Sequence, residues 1–193
     1  MNRFSMGYLS IICLLALTLA FTPGCQDDPV KGELDSGIEW PDLSAEEDVI
    51  ETIRLVYQNF NKVPSDELMT RYAAVLYDDP NQEHDYVWNM KPGDVAQYGV
   101  LMFREEDIAG TEYIIRQSSA LNLDISYASW EAAPDICDEC LQTTRVYSIS
   151  TTLDHRGEIW TLTGEEMGIQ FVIGPNEQIS GTWVIYIASE LPD

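Results

Sequence analysis

Basic side chains are scarce in this chain. Ten Lys and Arg stand against 33 Asp and Glu, a formal net charge of −23 over 193 residues. A surface so acidic repels nucleic-acid phosphates and anionic lipid headgroups, which excludes nucleic acid as a partner. Cationic groups and divalent ions remain compatible with it, although a solvated acidic face is the simpler account. Histidine is scarcer still, with only His84 and His155. No zinc-binding histidine pair, phosphate-cradling glycine loop or motif with a hydroxyl nucleophile is present. Hydrophobic residues nevertheless make up 45% of the chain, enough for a substantial core and too many for a chain disordered throughout.

The first residues read as a targeting segment. Arg3 supplies a weak positive start, and residues 6–21 (MGYLSIICLLALTLAF) form an apolar run of signal-peptide length. A lasting transmembrane span would need about 20 apolar residues and firmer flanking charges. Pro23 breaks the run, and Gly24-Cys25 sets a small residue directly before a thiol. This stretch resembles the bacterial lipoprotein signal, with Thr22 standing where an aliphatic residue is usual. The resemblance implies removal of residues 1–24, acylation of Cys25, and attachment to a membrane of the cell envelope on its periplasmic or extracellular side. Two or three acyl chains hold a protein stably at a membrane, whereas one alone is marginal. Simple secretion, with cleavage after Ala20, is the alternative.

Residues 25–44 then read as the acylated cysteine and an acidic tether rich in Asp, Pro, Gly and Ser. A flexible stretch of that length spans roughly 20–25 Å. Trp40 is placed to clip back onto the domain that follows, residues 45–193. Ser44 with Glu47 has capping-box spacing. Val49, Ile50, Ile53, Val56, Tyr57 and Phe60 recur at helical spacing. Pro64 opens a second helix with Leu68, Met69, Tyr72, Val75 and Leu76 on its apolar face. A turn is expected over 78–84, an extended piece in "DYVWNM", a turn at 91–94, and a further extended piece or loop over 95–103. A third helix is expected over 104–117, weakened by about 1 kcal/mol at Gly110. From residue 119 the period becomes two: Leu121, Leu123, Ile125 and Tyr127 alternate with Asn122, Asp124 and Ser126. Long strands joined by short turns at 155–158 and 174–178 follow, an antiparallel meander. In the last strand, Trp183, Ile185 and Ile187 are assigned to one face, opposite Val184, Tyr186 and Ala188.

Helices, a hairpin, another helix and then a meander make an α+β order. "EEDVIETIRLVYQNFNKVPSDELMTRYAAVLYDD" and "GTWVIYIASEL" resemble the opening helices and closing strand of the nuclear-transport-factor-2-like superfamily, which includes ketosteroid isomerase, scytalone dehydratase and the polyketide-cyclase group. The resemblance implies a curved sheet wrapped around the helices into a cone with an aromatic and aliphatic pocket. It also implies pairing of two copies through the outer sheet face in many members, and it leaves function open.

An enzyme of this kind needs a carboxylate or imidazole made reactive inside the cone. The candidates are Tyr57, His84 and Asp124. Tyr57 matches the place of a pocket tyrosine, yet shares the apolar stripe of its helix. Asp124 lies opposite an apolar strand face and so is expected to face solvent. His84 adjoins Asp85, a pairing that can hold an imidazole tautomer. His155 opens a turn and is expected to be exposed. Asp79, Asn81 and Glu83 alternate like the start of a calcium loop, but the sixth-place glycine is missing and Met90 stands at the twelfth; no metal or cofactor is expected. Cys137 and Cys140, flanked by acids, read as a local disulfide worth about 2 kcal/mol. The expectation is an envelope lipoprotein that binds a small apolar ligand or a protein partner without catalysis. An isomerase- or dehydratase-like enzyme and a structural dimer are the alternatives.

Overall fold

The computed structural model describes residues 37–79, 85–90, 101–163 and 166–191. Helix α1 (Glu46–Gln58) and helix α2 (Ser65–Ala74) come first and pack against each other. Strands β1 (Val87–Asn89) and β2 (Leu101–Phe103) follow, then helix α3 (Arg104–Gln117), unbroken through Gly110. The remaining strands are β3 (Ser118–Ile125), β4 (Glu131–Ala132), β5 (Leu141–His155), β6 (Glu158–Thr163), β7 (Met167–Pro175) and β8 (Trp183–Glu190). The expected sites Cys25 and His84, the turn at 91–94 and residues 95–100 lie outside the described residues, as does most of the turn at 78–84.

The capping of α1 departs from expectation. The N-cap is Ala45, whose N–H donates to the Asp48 carboxylate at 3.0 Å, while the Ser44 N–H donates to Asp42 Oδ1 at 3.0 Å. Glu47 is drawn away from a capping role by Arg145, whose guanidinium meets its carboxylate at 2.6 and 2.9 Å. Charge-assisted bidentate pairing outweighs one cap bond. The apolar stripe of α1 is buried as its spacing requires.

The fifteen-residue strand β5 is the spine of an eight-stranded, curved sheet. One edge pairs with β3 through 147–153; the other takes β7 over 141–147 and β6 over 150–155. The β5–β6 turn places Arg156 and Gly157 at φ of 55° and 85°, the left-handed pair that suits strand twist in a two-residue hairpin. The pairing is antiparallel except that β1 runs parallel to β8. The chain leaving α2 is already laid along β8, with Tyr77 N–H on Ile185 O at 2.9 Å and Ile185 N–H on Val75 O at 2.7 Å. A connection through a helix, unlike a tight hairpin, permits that direction.

Alternation holds in β3 and β5, where Leu123, Ile125, Tyr147, Ile149 and Leu153 are buried. It fails in β8. A register shift sets Ile173 opposite Ile185 but Phe171 opposite Ala188. Such a bulge reverses the facing of every later residue. Ala188 therefore enters the core, and Ile187 packs instead with Val172 and Tyr186 in a second cluster. That cluster is capped by the disulfide between Cys137 and Cys140. A Cβ at Gly174 would stand 2.7 Å from Cys140 Sγ, so the disulfide sits directly on the β7 backbone.

The folded unit takes in part of the acidic segment before residue 45. Ile38, Trp40 and Leu43 pack against the core. Leu43 O accepts from the Trp183 N–H at 2.8 Å, and Arg71 lies over the Trp40 ring at 5.3 Å.

Candidate functional site

The three helices lie in the concavity of the sheet and leave a cavity of about 70 Å³. At the roughly 30 Å³ that each water takes up in the liquid, that is room for about two waters. Helix α1 contributes Ile53 and Tyr57; the sheet contributes Tyr147, Ile149, Phe171 and Ile185. Trp88, Met90 and Met102 line it from the β1–β2 side, with Glu190 at the end of β8.

Helix α3 supplies the polar centre. Asp107 is 5% exposed and lines the cavity together with Gly110, Thr111 and Ile114. The Tyr72 hydroxyl donates to Asp107 Oδ2 at 3.1 Å, and the Tyr86 hydroxyl bonds the same carboxyl. The hydroxyls of Tyr57 and Thr111 stand 3.3 Å apart, and Thr111 also bonds Tyr72. Two tyrosine hydroxyls thus hold one carboxyl, and the hydroxyls of Thr111 and Tyr57 continue the polar group away from it in an otherwise apolar space. Burial pushes Asp107 up to about 6 against the two tyrosine bonds, which pull it down. Burial, followed by the charge of Asp107, drives Tyr72 and Tyr86 well above the ordinary phenol range. They therefore stay protonated, and able to donate, at neutral pH.

Tyr57 is where the sequence places it, buried and on the cavity wall. Asp124 is not in the site: it is exposed on the convex face, paired in register with Ser148. The cause is the alternation itself, which turns Leu123 and Ile125 inward. His155 is not exposed as a turn residue would be. It is 9% exposed, with Nδ1 2.6 Å from the Tyr113 hydroxyl and its ring 4.9 Å from that of Trp160. Among the described residues, no group of three or more His, Cys, Asp and Glu is placed to hold a metal ion.

Asp107 escaped the sequence reading, although a signal existed. It stands four residues before Thr111, seven before Ile114 and eight before Ile115, on the inward stripe of α3. The acids Glu105, Glu106 and Asp107 were all natural first-turn residues, which hid the one that faces inward. Arg145 escaped likewise: it continues the inward face of Tyr147 and Ile149, and is 1% exposed.

Fold and cavity together define a cone-shaped α+β domain, as the resemblance in its sequence implies, hollow and with a carboxyl on its inner wall. No protein-family model and no curated protein matches the chain. Solved structures similar to it include a hexachlorocyclohexane dehydrochlorinase, LinA-type3, from Novosphingobium barchaimii LL02, at 8% identity and TM-score 0.49 over 77% of this chain and 84% of that one. A putative dehydratase of the NTF2-like family from Streptomyces avermitilis is 14% identical, with TM-score 0.45 over 76% and 99%. ActVI-ORFA from Streptomyces coelicolor is 12% identical, with TM-score 0.45 over 75% and 94%.

Proposed function

We propose that the cone binds a small, mostly apolar ligand whose one polar group meets Asp107 and its tyrosines, in a domain held at the cell envelope through Cys25. The observation that carries the binding reading is a buried carboxyl on the wall of an otherwise apolar cavity. A few convergent polar groups in an apolar hollow are what small-ligand sites require. Cyclohexanol, an apolar ring with one hydroxyl, is the probe. Its titration is expected to move the methyl resonances of Ile53, Ile149 and Ile185 saturably while leaving the exposed Ile136, Ile159 and Ile179 in place. Absence of any saturable change at the lining isoleucines contradicts ligand binding.

The anchoring half rests on the Gly24-Cys25 junction after an apolar run. Cys25→Ser is expected to move the protein from the membrane fraction to the soluble one; undiminished attachment overturns acylation there.

Asp107 also favours a second reading, proton transfer. A carboxyl pushed up to about 6 exchanges protons near neutral pH more effectively than an ordinary one. Cyclohexanone in D2O tests this: Asp107-dependent deuteration beside the carbonyl supports an enzyme, and a rate equal to that of the Asp107→Asn variant removes the reading.

A further inference from the structure

The chemistry of the wall goes beyond a small ligand in general. We propose that the ligand is an organic cation, an alkylammonium ion whose head group meets Asp107 on a wall rich in aromatic side chains. This rests on the reading of the cavity as a ligand site and narrows it to one charge class.

Four observations converge. The described wall residues include two carboxyls, Asp107 and Glu190, and no lysine, arginine or histidine. Among the described wall residues an anionic ligand would therefore find no cationic partner to offset its desolvation, and would meet the buried carboxyl of Asp107. The second observation is the aromatic content. Tyr57, Tyr72, Tyr86, Trp88, Tyr147 and Phe171 all line the space, and the negative faces of such rings attract ammonium groups by about 0.5–2 kcal/mol each.

The third is the disposition of two described arginines, Arg145 and Arg104. Arg145 is tied to Glu47 and capped by the rings of Tyr127 and Trp130 at 5.8 and 4.9 Å. Arg104 donates to the carbonyls of Ala73 and Leu76. Neither is among the residues that line the cavity. The fourth is the long-range field. A chain of net charge −23 concentrates cations near its surface and speeds their capture. Burial without a cationic neighbour on the wall also explains why Asp107 is pushed up to about 6; a cation in the cavity would supply the missing partner and hold it ionised.

Three probes with one four-carbon chain separate charge from shape: n-butylammonium, 1-butanol and butyrate, titrated against the full-length chain by methyl NMR of Met102. Butylammonium is expected to bind about tenfold more tightly than butanol, with butyrate weakest. In Asp107→Asn the preference for butylammonium over butanol is expected to collapse to about twofold or less. Equal affinity for butanol and butylammonium, or tighter butyrate, overturns the cation assignment while leaving the cavity a ligand site. Failure of all three to bind overturns the ligand site itself. A preference that persists in Asp107→Asn removes Asp107 from the recognition. Should that variant not fold, the comparison of the three probes on the unaltered chain decides alone.

Discussion

Asp107 sits where ionisation is opposed, and this sets how its contribution depends on pH. Its folded value of about 6 lies above the ordinary 3.8. Between those limits the unfolded chain releases its proton while the folded one keeps it. The stability this group confers is therefore fully present below about pH 4 and lost as pH rises through 6. The difference is about 3 kcal/mol. Urea denaturation of wild type and Asp107→Asn should show the wild type losing up to that much, relative to the variant, from pH 4 to 7. A constant difference across the range contradicts the buried, raised carboxyl. Glu47 and Arg145 behave asymmetrically for a related reason. Arg145 has no side-chain exposure, whereas Glu47 keeps 38%. Glu47→Gln strips the charge partner from a guanidinium that water cannot reach, and is expected to cost about 2 kcal/mol or more. Arg145→Met leaves a carboxylate that can hydrate, and is expected to cost less. The reverse order of denaturation midpoints would show that the pair is not buried on the Arg145 side.

Among the elements, β7 carries the tightest steric constraint. Gly174 lies beneath the disulfide, with Cys140 Sγ 2.7 Å and Cys137 Sγ 3.2 Å from any added Cβ. Neither sulfur is the free end of a flexible chain, so the loop must lift or the strand must bend. Gly174→Ala is expected to destabilise the oxidised protein by about 1–3 kcal/mol. In a Cys137→Ala/Cys140→Ala background the same change should cost much less, because the obstruction is gone. Thermal unfolding of the four proteins gives the coupling directly, and simple additivity would mean that the loop does not rest on Gly174. The disulfide thus closes a short loop and also covers Val172, Tyr186 and Ile187 on the side of the sheet away from the cavity.

For the whole molecule the dominant long-range term is self-repulsion among 33 acidic residues with only 10 basic ones. Screening lengths fall to about 10 Å at 0.1 M salt, so added sodium chloride relieves repulsion that compaction intensifies. Raising salt from about 20 to about 300 mM is expected to raise the melting temperature by a few degrees. A melting temperature that falls over this range would mean that local pairs such as Arg116 with Asp66 and Glu112 outweigh the net charge.

How much of this was legible beforehand depended on the range of the forces involved. Helix α3 was read to its exact bounds because its spacing and end signals are local, and period two alone placed Leu123 and Ile125 of β3 inward, although Tyr127, read on the same face, lies past the strand's end and is exposed. That same period exiled Asp124 to the surface. The Ser44 cap was misread because Arg145, 98 residues from Glu47 in the chain, draws the capping glutamate away. The face of β8 was misread because a bulge depends on register with β7. The parallel run of β1 along β8 depends on where α2 sets the chain down. Most of all, the role of Asp107 rests on its meeting Tyr72 and Tyr86 from other elements: helical spacing could turn it inward, but only packing could surround it with hydroxyls and rings, exclude water, and raise the proton affinity of its carboxyl.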